Sequence, residues 1–111
     1  MKTRRQGGRT KTRPPMTATE AIRHARILER EFSGVPVEIK TLATYVDVCR
    51  AGTMTWTACE LIWKINEDVK RLPECTPEQA AEIDRIAIRM EKHKDAVGDY
   101  IVSFWRTGRQ N

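Results

Sequence analysis

Thr76-Pro-Glu-Gln-Ala-Ala-Glu-Ile-Asp-Arg-Ile-Ala-Ile-Arg-Met90 decides the fold. Thr76 is a helix N-cap whose hydroxyl accepts from an otherwise orphaned backbone N–H, and Pro77 occupies the first helical position, where no N–H is needed. Glu78 meets the positive end of the helix, and Gln79 completes a capping box. Ala80, Ile83, Ile86, Ala87 and Met90 then return at helical spacing as one apolar stripe. Glu78 and Glu82 precede Arg85 and Arg89 on the wet side, in the order that supports a helix. Beyond His93 the pattern resumes as Val97, Ile101, Phe104 and Trp105. Either one long helix continues to about residue 105, or a break near 95–98 sets off a fifth helix. Gly98 favours the break, because glycine costs about 1 kcal/mol inside a helix relative to alanine.

Three further segments precede this one. Thr17-Ala-Thr-Glu20 has capping-box spacing and opens a helix over about 19–32 with the stripe Ala21, Ile22, Ala25, Leu28 and Phe32, stopped by Ser33-Gly34-Val35-Pro36. A second helix is expected over about 38–50, from Ile39, Leu42, Tyr45, Val46 and Cys49, with Gly52 just past its end. Val46-Asp-Val48 is β-prone, but the 3.6-residue period outweighs it. A third is expected over about 54–72, with the seam Leu61, Ile65, Val69 and Leu72. Thr57-Ala-Cys-Glu60 supplies its capping box, Thr53 and Thr55 are alternative caps, and Pro73 ends it. Short loops between capped amphipathic segments describe an all-α bundle of four to five short helices over residues 16–111.

Residues 1–15 differ in kind. They carry Lys2, Arg4, Arg5, Arg9, Lys11 and Arg13 and no acid, whereas residues 16–111 hold fourteen Lys and Arg against fifteen Asp and Glu. The net charge of +5 is thus an arm of +6 joined to a body of −1. With almost nothing to bury, the arm is expected to be disordered until it meets a partner. Its chemistry suits a polyanion, nucleic acid above all; six phosphate contacts on a duplex correspond to a salt slope of about −5. Four of the six are Arg, whose guanidinium fork grips phosphate bidentately. DNA and RNA fit this arm alike, and the oligomeric state is open.

Composition narrows the class. At 111 residues the chain is one domain by size. No apolar run approaches 18 residues, and no apolar stretch follows the basic N-terminus, so neither a membrane span nor a secretory signal is expected. Cys49, Cys59 and Cys75 are odd in number and lack CxxC spacing, which fits a reducing, cytoplasmic setting. His24 and His93 are remote in sequence from any cysteine, so no metal site is expected. His93 reads as the end of a helix, where a cation meets the negative dipole. Ser33 and Ser103 lie outside a nucleophile elbow, and Gly7-Gly8 lacks the strand–loop–helix setting of a phosphate loop. The pattern calls for no enzyme and no cofactor.

Three motifs carry interaction chemistry. Trp56 and Trp63, seven apart on one helical face, are a candidate protein contact. Ala51-Gly52-Thr53 between two helices matches a helix-turn-helix, although the helix beyond it offers few bases or amides at its start. Tyr100, Phe104 and Trp105, with Arg106 and Arg109, form an aromatic, basic tail. It is suited to secondary nucleic-acid contacts, with Phe104 and Trp105 read foremost as core anchors.

Leu72-Pro-Glu-Cys-Thr-Pro-Glu-Gln-Ala-Ala-Glu-Ile-Asp-Arg-Ile-Ala-Ile-Arg-Met90, followed by Tyr100-Ile-Val-Ser-Phe-Trp-Arg-Thr-Gly108, resembles a segment of phage late-gene antitermination (Q-like) proteins and related phage transcription regulators. In those proteins an acidic, Ala-rich helix start leads to an Ile-Asp pair, and a short helix with aromatics and a basic residue precedes a glycine. The resemblance implies a DNA-associated protein that modifies RNA polymerase at a late promoter. Many members continue past the glycine into a DNA-reading helix-turn-helix, whereas three residues follow Gly108 here. Polymerase contact, rather than promoter reading, is what the resemblance carries over.

Overall fold

The structure, a computed structural model, describes residues 16–107. The expected arm, with Lys2, Arg4, Arg5, Arg9, Lys11 and Arg13, lies outside the described residues, as does Arg109. The elements are α1 (Ala18–Phe32), a short α2 (Val35–Glu38) running into a 3-10 turn (Ile39–Thr41), α3 (Tyr45–Arg71) and α4 (Pro77–Arg106). The architecture is all-α, with no strand among the described residues. It is built on three long helices, not four or five short ones.

The capping boxes expected at Thr17 and Thr76 both form, with reciprocal bonds to Glu20 and Gln79. Leu72 leaves α3 with an extended backbone, the conformation that Pro73 demands of its predecessor.

The expected second and third helices need correction. Residues 38–41 belong to α2 and the 3-10 turn, and the chain is non-helical over 42–44. From Tyr45 one helix of 27 residues runs through the supposed turn at Ala51-Gly52-Thr53. Its N-cap is Thr44, whose hydroxyl accepts from the Asp47 N–H at 3.1 Å and donates to the Asp47 carboxylate at 2.8 Å. Thr53 and Thr55, read as possible caps, instead donate back to the carbonyls of Cys49 (3.0 Å) and Ala51 (2.9 Å), inside the helix. Gly52 is buried because α4 presses on it: a Cβ there would collide with Ile101 Cδ1 and crowd Val97 Cγ1 at 3.3 Å. The glycine is an approach point between helices, so no helix-turn-helix is present.

Likewise α4 runs unbroken for 30 residues, about 45 Å, so the break near 95–98 does not occur. Val97 is fully buried one residue before Gly98, and packing on both sides of the glycine outweighs its local cost. His93 is therefore interior to α4 rather than at a helix end.

α3 and α4 form an antiparallel hairpin joined over 72–76. Its register shows in Asn66 and Lys70 meeting Asp84, Trp63 meeting Glu91, and Tyr45 stacking on Phe104 at 6.0 Å. α1 lies along the loop half of one hairpin face, with Ala18, Ala21, Ile22 and Ala25 packed on Ala58, Ile62, Ile83, Ile86, Ala87 and Met90. The alanines let the helices come close. Polar ties frame this contact. The Ala18 N–H donates to the Glu74 carboxylate at 3.3 Å, Arg26 pairs with Glu82, and Arg89 grips Glu29 bidentately at 2.7 and 3.0 Å. Beyond the end of α1, α2 packs on α4, and the 3-10 turn inserts buried Ile39 against α3 and α4. Among the described residues no helix is long and apolar enough to cross a membrane.

Candidate interaction face

One face of the hairpin gathers exposed aromatic and charged side chains. Helical spacing places Cys49, Gly52, Trp56, Trp63 and Glu67 on one edge of α3, and Glu91, Lys94, Gly98, Ile101 and Trp105 on the facing edge of α4.

Trp56 stands at the centre, 53% exposed. Its indole N–H donates to Glu60 one turn on, at 3.1 Å, and the Lys94 ammonium sits 4.7 Å from its ring centroid. Trp63 is half-buried against the core, and its indole N–H donates across the hairpin to Glu91 at 2.9 Å. Each ring is thus held by a carboxylate, which limits its rotamers without removing its face from solvent.

Two shallow grooves, each of about 340 Å³, flank Trp56. The one toward the open end of the hairpin is apolar, lined by Cys49, Gly52, Trp56, Val97, Gly98 and Ile101. The one toward the loop is more mixed, with the charged Glu60, Lys64, Glu67 and Glu91 around Trp63. Lys94 borders both. Gly98 differs from Gly52, since a Cβ built there meets nothing within 4 Å.

The cysteines are unpaired. Burial pushes the Cys59 thiol above its ordinary value, against a smaller opposing pull from Lys94, so the nucleophilic thiolate is disfavoured. Cys49 is half-buried at the groove edge, where its hydrogen bond with the Tyr45 side chain raises the tyrosine pKa. No group of three or more His, Cys, Asp or Glu among the described residues is arranged to hold a metal ion.

Of the residues singled out by sequence, Trp56 and Trp63 do share a face. Arg106 is exposed in the last turn of α4, far from Trp63. Phe104 is half-buried against Tyr45 and Tyr100, in keeping with an anchor, but Trp105 is 68% exposed and anchors nothing in the core. Sequence reasoning missed Lys94, Glu60, Glu91 and Gly98 as parts of this face. The signal was there in the i, i+4 pair Trp56–Glu60 and in the stripe Lys94, Gly98, Ile101, Trp105. No protein family, curated protein or solved structure matches this chain.

Proposed function

We propose that this chain is a small nucleic-acid-associated regulator of the phage antitermination type. Its basic arm neutralises phosphates while the helical body contacts a protein such as RNA polymerase. The observation that carries the reading is charge segregation: six cations and no anion in the first fifteen residues, against a body of −1. In the body, Arg26, Arg50, Lys64, Lys70, Arg89 and Lys94 are each paired with a carboxylate, whereas Arg23, Arg30, Lys40, Arg71, Arg85, Lys92 and Arg106 form no salt bridge among the described residues. The arm differs from the body in that no anion offsets its charge. The polymerase assignment rests on the resemblance of residues 72–108 alone; of its Ile-Asp pair, Ile83 is core and Asp84 is tied to Lys70 and Asn66.

A second reading, a helical interaction protein without nucleic-acid binding, draws on the exposed Trp56 and Trp105. Fluorescence polarisation separates the two. The full chain, titrated against labelled duplex DNA and single-stranded RNA over a range of salt, is expected to bind duplex with a log–log salt slope of about −5. Replacing the six arm cations with Gln is expected to abolish both the binding and the slope. A full chain that binds neither nucleic acid would sink this reading and leave the interaction protein, and affinity and slope that survive the replacement would overturn the role of the arm.

A further inference from the structure

Gly98 sits inside a 30-residue helix, yet among the described residues nothing outside its own stretch of helix comes within 4 Å of where its side chain would be. No internal contact needs a glycine there, but a second backbone laid into the groove would. That groove is apolar and is lined by Trp56; Trp105 follows one turn beyond its residue Ile101 on α4, and both tryptophans are more than half exposed. Large aromatics around a small-residue floor are the usual anchors of a protein interface.

We propose that this face pairs with the same face of a second copy, the two α3–α4 hairpins forming a four-helix core about a two-fold axis. Dimensions support it. The face runs about 27 Å along α3 and about 20 Å across two helices. That is a projected patch of about 500 Å², before side-chain relief is added, against about 800 Å² per partner in a standard interface. Charge supports it too. In an antiparallel pairing centred just past Gly98, Arg106 lies opposite the second copy's Glu91. Within one chain Glu91 accepts from the Trp63 indole and has no cation in salt-bridge range among the described residues. The same arrangement brings Trp105 within a turn of the second copy's Lys94.

Sedimentation equilibrium of the full chain, without nucleic acid, from roughly 1 to 100 μM tests the pairing, since standard interfaces of this kind dissociate in or below that range. A monomer–dimer equilibrium is expected. Gly98→Gln fills the groove from a position that is open within the monomer, and should raise the dissociation constant roughly 30-fold or more with helicity by circular dichroism retained. Trp105→Ala, at an exposed site, should do the same. A wild-type chain that is monomeric throughout overturns the proposal, and so does a dimer that both variants leave intact. The readout is mass alone, so it stands or falls independently of the arm.

Discussion

Gly52 and Gly98 look alike in the sequence, and each suggests a helix boundary. Neither is one, and the two differ physically. Gly52 is held against the Ile101 and Val97 side chains, so added volume must displace the Ile101 terminal methyl and crowd Val97; Gly98 faces open space. Gly52→Val is therefore expected to destabilise the fold by about 1–3 kcal/mol, the usual cost of overpacking. Gly98→Ala should stabilise it by about 0.5–1 kcal/mol, through helix propensity and a less flexible unfolded chain. Urea denaturation of the two variants, at concentrations where the chain is monomeric, checks both signs. Equal effects would mean that the helix contact at Gly52 does not form. The difference is illegible in one sequence, because it is set by residues some 45 positions away across the hairpin. Trp56 and Trp63 were legible as a pair for the opposite reason: seven residues are two turns of the same helix.

At the level of elements, the same short pattern succeeds in two places and fails in a third. Thr17 and Thr76 begin helices because each is itself extended, which leaves its hydroxyl free to reach the third N–H. Thr57 has the same spacing to Glu60 but sits in mid-α3, where the N–H groups are already bonded and Glu60 takes the Trp56 indole instead. The true start, Thr44-Tyr-Val-Asp47, also carries the pattern and was passed over for an apolar period running from Ile39 to Cys49. That period is real, but the chain enters it through a 3-10 turn. Thr76→Ala should cost about 1 kcal/mol, the typical worth of an N-cap. Thr57→Ala, at an exposed mid-helix site, should stay within about 0.5 kcal/mol of the parent. Denaturation midpoints of the two variants measure this, and equal losses would contradict the continuous α3.

Across the whole molecule, stability depends on ties between distant helices, and one of them makes it depend on pH. Asp84 on α4 receives the Lys70 ammonium at 2.5 Å and the buried Asn66 amide at 2.8 Å, both from α3. The lysine first and the asparagine second hold the Asp84 carboxyl below its ordinary value of 3.8, against a smaller upward push from burial. A carboxyl whose pKa is lowered by folding adds stability above its unfolded value, and that stability is lost as pH falls toward the folded value. The fold should therefore weaken steadily as pH drops from about 5. Asp84 and Lys70 are both substantially exposed, so water screens the pair and its net worth is at most about 1 kcal/mol. Asp84→Asn is expected to be less stable than the parent by about that amount at pH 7. The gap should narrow as pH is taken from 7 down past the ordinary value of 3.8 toward the lowered folded value. Urea midpoints of both proteins, taken at half-unit steps between those limits, decide the matter: a constant gap would show that Asp84 acts through packing rather than through its charge.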